Sequence, residues 1–324
     1  MLRTRMTELF GIEYPVMSAP MAGHSGGTLA AAVSKAGGLG SFGAIDQRGP
    51  GWVREQIAIL RSGAGGPFAV GFITPFIPFL EQNFDVVIEA RVPAVILSFG
   101  APEPWITRAR ESGAKTVCQV QTLDGALEAH AAGADAIVVQ GNEAGGHTGT
   151  MSLLPLLSRV RDALPDAPLI AAGGIADGRS LAAVLAAGAD GACAGTAFLA
   201  TPEATDVPDV YKDVIVRSDG SNTMYTRLYD ILDAMPWPDG IAGRVYSSPF
   251  IREWGERDDE VSQRREELRQ QTEAAFHEDP EVAAVYMGEG AGAVTSIRPA
   301  AEVVREICDD AERILRQRAG EVLG

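Results

Sequence analysis

The run QGNEAGGHTG (140–149) is the segment of this chain best suited to chemistry. It sets Gln140 at the end of an apolar stretch, then a glycine-rich turn, then His147. An imidazole changes charge near neutral pH and is the side chain most used as a general base. Two glycines ahead of it let backbone come close to a ligand, because no Cβ stands in the way. A histidine that only orients its loop is the competing reading, and the glycine setting favours the base. Two further segments, AAGGIADGRS (171–180) and CAGTAFLAT (193–201), suit an anion. Gly173 and Gly174 expose N–H groups, and Gly195 and Thr196 supply another N–H and a hydroxyl. Such donors at a helix start hold a phosphate well. The loop APMAGHSGG (19–27) is built of small residues around His24, which is either a polar contact for a flat ligand or a histidine in solvent. His130 and His277 fall on helical stretches and are expected to be structural or solvated. The histidines are scattered and Cys118, Cys193 and Cys308 lack CxxC spacing, so neither a metal site nor a disulfide framework is expected.

Loops that carry chemistry need strands to aim them, and the chain shows a repeat that supplies these. An Ala-rich helical stretch, a glycine and a short apolar run recur at 34–43, 111–120, 131–141 and 186–196. Gly37, Gly113, Gly133 and Gly188 can take the left-handed conformation that ends a helix. The run after each is apolar on both faces, as a parallel strand buried on both sides requires. Eight strands can be laid out near 15–18, 39–43, 67–71, 94–98, 115–119, 136–140, 168–172 and 191–194. Eight βα units in about 200 residues fit an α/β (β/α)8 TIM barrel, whose active sites lie on the loops after the strands. An open dinucleotide-binding sheet is the alternative, and no G-x-G-x-x-G follows the first strand. After residue 200 the texture changes. Residues 201–250 are rich in Pro, Asp and Tyr, 251–285 read as a charged helix, and 298–318 as an amphipathic helix. The expected division is a barrel over 1–204, a smaller and mainly helical cap over 205–285, and a return segment with a final helix over 286–324.

Composition narrows the partners. The chain has 324 residues and a net charge of −16, which disfavours nucleic acid. No apolar run reaches the roughly 20 residues of a membrane span, and the N-terminus shows no signal-peptide pattern. A reduced, cytoplasmic protein is expected, with a small-molecule substrate. The sequence leaves open whether two copies pair as a homodimer.

Taken together, QGNEAGGHTG, AAGGIADGR, AGTAFLAT, the opening YPVMSAPMAG and the closing YMGEGAGAVTSIRPAAEVV resemble the nitronate monooxygenase family, long called 2-nitropropane dioxygenases. The likeness covers nearly the whole chain. The EAGGH signature is shared with flavin-dependent enoyl-acyl-carrier-protein reductases. The resemblance implies an FMN-bearing barrel that oxidises alkyl nitronates with O2. The matching positions for FMN are Met21, Gln140, Gly145, Gly174, Cys193, Ala194, Gly195 and Thr196, and His147 matches the catalytic base. Where relatives read Gly-Val-Asn after the third strand, this chain has Gly71-Phe72-Ile73, so the Asn amide is absent; Thr74 is the neighbouring candidate to replace it. Ala197 and Glu289 stand where Arg and Gln are common. The nearest rival is an NAD(P)H-dependent FMN reductase of an enoyl thioester, quinone or other conjugated carbonyl. A non-catalytic flavin-binding protein is the distant one. Phe72, Phe76 and Phe79 are candidates for an apolar wall beside the flavin or for plain core.

Overall fold

A computed structural model describes residues 2–323. Eight parallel strands form the barrel: β1 (Val16–Ser18), β2 (Gly40–Gly43), β3 (Phe68–Ile73), β4 (Ala94–Ser98), β5 (Lys115–Val120), β6 (Ala136–Gln140), β8 (Leu169–Ala172) and β9 (Gly191–Ala194). They are hydrogen-bonded in the order β1-β9-β8-β6-β5-β4-β3-β2. The ring closes between β1 and β2, where Met17 bridges Leu39 and Ser41 Oγ donates to Ser18 O at 2.6 Å. The repeat works as the sequence requires. Gly37, Gly113, Gly133 and Gly188 have φ of 95°, 91°, 87° and 100°, each two or three residues before a strand. That left-handed turn lets the chain leave a helix and re-enter the sheet at once.

Two apolar cores follow from this geometry. One lies between strands and helices, and the other fills the barrel interior around Met17, Leu39, Ile96, Val117, Val138 and Ile170. Met6 and Phe10 join the interior core. They come from the first helix, Arg5–Phe10, which starts at a Thr4 capping box and plugs the end of the barrel opposite the loops that carry the chemistry.

Residues 228–268 bury a third cluster that includes Leu228, Val245, Phe250, Trp254 and Leu268, while Tyr211, Ile215 and Ala275 belong to the core between strands and helices. Residues 205–285 hold short helices and a strand pair. β10 (Thr223–Thr226) and β11 (Ala242–Tyr246) join β7 (Gly146–Thr148) in an antiparallel sheet of order β10-β11-β7. Thus the cap sheet takes one strand from the loop after β6. The charged stretch 251–285 is not one helix but a series of short ones, Pro249–Trp254, Asp258–Gln263 and Arg265–Ala275. Trp254, Val261 and Leu268 must all reach one small core, and the chain bends at Gly255, whose carbonyl accepts from Thr226 Oγ1. The last helix, Ala300–Leu323, packs on the helix Gly178–Ala186. Among the described residues no helix is long and apolar enough to cross a membrane.

The close approach of β2 to its neighbouring helix gives a stability test. A Cβ on Gly40 would lie 1.8 Å from Ala30 O, whereas one on Gly51 would meet nothing within 4 Å. Gly40→Ala is expected to lose about 3 kcal/mol, and Gly51→Ala, inside the helix Gly49–Gly63, to gain up to about 1 kcal/mol. Urea unfolding of the two variants checks both signs.

Candidate active site

Seven of the eight barrel strands, and the loop after β1, place residues on one cavity of about 860 Å³. Small residues open the space. Gly43 and Gly71 let the loop after β1 cross the mouth: a Cβ on Gly43 would sit 2.7 Å from Ala22 N, and one on Gly71 2.2 Å from Pro20 Cβ. Of the residues singled out by sequence, Met21, His24, Gln140, Gly145, His147, Gly174, Cys193, Gly195 and Thr196 line this cavity. Ala194 is buried and does not line it; its carbonyl accepts from Ala19 N and holds the loop after β1 in place. Ile73 lines the cavity and offers no polar atom. Thr74 lies outside the lining, with its Oγ1 buried and unpartnered, so it does not take over the missing Asn amide. Phe72, Phe76 and Phe79 do form a wall of the cavity. His130 and His277 lie elsewhere; His277 stacks on Phe276.

The loop after β6 is held rigidly by its own polar residues. Asn142 Nδ2 donates to Gly149 O at 2.7 Å. Both carboxylate oxygens of Glu143 accept from Leu153 N at 3.0 Å. Gln140 Nε2 donates to His147 O at 3.0 Å, while its Oε1 accepts from Gln121 Nε2 at 2.8 Å. The return segment passes beneath this loop, and a Cβ on Gly145 would lie 2.4 Å from Gly288 N. Arg244 on β11 ties the loop to the cap. Its guanidinium donates to Asn142 O at 2.7 Å and to Thr223 Oγ1 at 3.0 Å, touches Asn142 Oδ1, and pairs with Glu289 at 3.3 Å. Arg244 is buried, and these partners satisfy its charge.

His147 is gripped from three sides. β7 pairs with β11 so that His147 stands opposite Gly243. Its ring stacks on Trp237 with centroids 3.6 Å apart and planes 12° apart. Its Nε2 meets Asp230 Oδ1 at 2.7 Å. A carboxylate accepts, so this contact assigns the ring proton to Nε2 and leaves the Nδ1 lone pair as the basic site. A base oriented by a third group is the usual construction of an acid–base centre. Tyr286 lies 5.9 Å from both His147 and His24 by ring centroids. Burial, followed by the charges of Asp230 and Asp233, pushes its phenol pKa up, so it stays a neutral O–H donor. Burial lowers the pKa of His24 and favours its neutral form. Asp230, Trp237 and Tyr286 were not singled out by sequence. The first two lie on cap segments without periodic or glycine-rich signals, and Tyr286 opens the YMGEG stretch.

Elsewhere on the lining, Thr196 Oγ1 accepts from Gly288 N at 3.0 Å, which leaves its hydroxyl proton to donate. Thr196 opens a helical turn, so its N–H has no partner within that turn. Gly173 and Gly174 have φ of 114° and 67°, conformations that favour glycine. These donors suit an anion held without a cation: among the described residues no lysine or arginine lines the cavity.

Comparison with known proteins gives these features a family context. A family profile described as Nitronate monooxygenase matches residues 3–77 and 77–310. A probable nitronate monooxygenase of Staphylococcus saprophyticus is 32% identical over 306 residues, covering 80% of this chain and 83% of the relative. Among solved structures, FabK from Thermotoga maritima superposes with a TM-score of 0.89 at 34% identity, covering 99% of this chain and all of the other. A nitroalkane oxidase from Streptomyces ansochromogenes does so with a TM-score of 0.81 at 30% identity, covering 97% and 99%.

The floor of the cavity makes a chemical prediction. Cys193 lines it, and burial pushes its thiol pKa up to about 12. Burial likewise takes Cys118 to about 12 and raises Cys308. Thiolate is the reactive form. The native protein is therefore expected to resist iodoacetamide at mildly alkaline pH, and the unfolded chain to take up three equivalents. Mass spectrometry reads both.

Proposed function

The chain belongs to the nitronate monooxygenase family, a family of oxidoreductases, and from that premise we propose that it binds FMN and oxidises alkyl nitronates with O2. The observation that carries the reading is the oriented His147–Asp230 pair on a cavity whose lining also offers donors for a phosphate. Gly174, Gly195 and Thr196 would hold the phosphate. Met21, Gln140, Gly145 and Cys193 would line the rest of FMN, with Ala194 setting the loop that carries Met21. Residues 205–285 act as the substrate cap. FMN, when bound, supplies the one-electron chemistry between the substrate and O2.

The protein's own part is proton handling and positioning. When a neutral nitroalkane is offered, the Nδ1 lone pair of His147 accepts the α-proton. The resulting imidazolium then lies against the Asp230 carboxylate, which stabilises it where it forms. Trp237 prevents the ring from turning away. Tyr286, a neutral donor facing the same space, is placed to hydrogen-bond the oxygen on which charge gathers. Asp230 acts through His147 and is a positioning residue. The second reading is reductive, with NAD(P)H as donor and a conjugated carbonyl as acceptor, and it draws on the EAGGH signature that this chain shares with flavin-dependent enoyl-acyl-carrier-protein reductases.

Two measurements test this. Flavin absorbance should appear in the purified protein or on adding FMN, and anaerobic ethylnitronate should bleach it. Bleaching by NADH alone would select the reductive reading. His147→Ala should lower turnover of neutral nitroethane by about 10²–10⁴-fold and spare preformed ethylnitronate; equal loss on both substrates would remove the base assignment. Asp230→Asn should show the same split with a smaller loss, at least about tenfold.

A further inference from the structure

Part of the cavity's charge has no task in the oxidation: Asp233 and the second carboxylate oxygen of Asp230. The lining holds two carboxylates, Asp230 and Asp233, and no lysine or arginine among the described residues. Asp230 is 9% exposed. Its Oδ1 meets His147, but its Oδ2 is buried without a hydrogen-bond partner. A buried carboxylate oxygen left unpaired is costly until a donor reaches it. Asp233 stands three residues farther along the helix Leu228–Asp233. Its side chain is exposed at the cavity rim; partial desolvation and the charges of Asp230 and Glu273 raise its carboxyl pKa, against the opposing pull of Arg269 and Arg265. A third negative group brought beside this pair would meet the burial around Asp230 and the like charge of both carboxylates.

The rest of this wall is apolar. Trp237 meets Phe76 and Phe99 edge-on at 5.0 and 5.2 Å. At the rim, Phe79 is 75% exposed and Met235 39% exposed, and both line the cavity. Large apolar side chains left in water around an opening mark a surface that an apolar ligand covers.

We propose that the chamber selects substrates whose tail is apolar and free of negative charge, and that Asp230 and Asp233 reject a tail ending in a carboxylate or phosphate. This deepens the functional reading above and rests on its assignment of the cavity as the substrate chamber, whichever oxidation or reduction takes place there. A hydrogen-bond donor on the tail is accepted, since Asp230 Oδ2 lacks one. The charge of a nitronate differs from that of a tail because it sits at the reacting end, where His147 and Tyr286 answer it.

The test uses unreactive tails, so it does not depend on the reaction. Hexanamide, hexanoate and hexylammonium are titrated calorimetrically into the FMN-loaded protein at neutral pH. Hexanoate is expected to bind about tenfold more weakly than hexanamide, and hexylammonium at least as tightly as hexanamide. Asp233→Asn should leave hexanamide within about twofold and narrow the hexanoate deficit to about threefold. Hexanoate binding within twofold of hexanamide overturns the proposal, as does an unchanged deficit in the variant or no binding by any of the three. The wild-type comparison decides the matter if the variant does not fold. If ethylnitronate fails to react while the charge preference holds, the nitronate reading falls and the tail selectivity stands.

Discussion

β7 is three residues long and depends on β11 for its place in a sheet. Extended backbone with unpaired N–H and C=O groups is costly away from water, and these residues lie at the edge of a cavity. The antiparallel partner is β11, in the register that sets Gly243 against His147 and Ala242 against Thr148. The absence of a side chain at Gly243 matters here, because an added Cβ would stand 3.2 Å from Tyr286 Cε1 and 3.9 Å from His147 Nε2. The position of the imidazole is therefore set by the cap as much as by the barrel. A one-residue slip would turn the histidine to the other face of the sheet.

Polar contacts then reinforce what the strand pairing begins. Arg244, next to Gly243 on the same strand, reaches back to Asn142, so a single strand both pairs with the histidine segment and anchors the start of its loop. Asp230 arrives from a cap helix and Trp237 from the segment after it. Both touch His147. A pre-set and largely buried ring has little reorganisation left to do when charge appears on it.

Much of the barrel was legible in the sequence. The glycine that ends each helix and the short apolar run after it are local signals, and they recur at Gly37, Gly113, Gly133 and Gly188 with the conformation they predict. The glycine-rich loops were legible for the same reason, since a chain that must pass close to a neighbour shows it by losing its side chain. What surrounds His147 was not. Asp230 and Trp237 reach it across more than eighty residues of sequence, through a fold with no repeat to read. Nor could composition reveal the strand pair in the cap: β10 and β11 are short and only partly apolar, and β11 is specified by the partners on either side of it. The stretch 251–285 is polar enough to look like one solvated helix; only its buried residues, seven apart, show why it folds back.

The plug formed by Met6 and Phe10 has a consequence for traffic. A Cβ on Gly191 would lie 2.2 Å from Met6 Sδ, so the lower end of the barrel is sealed to the width of a methyl group. Among the described residues, traffic through that end is closed, and a ligand of the cavity has to pass between the cap and the loops after the strands. The barrel works as a blind alley at its base: what lies on the floor near Cys193 is approached from above and leaves the same way it came.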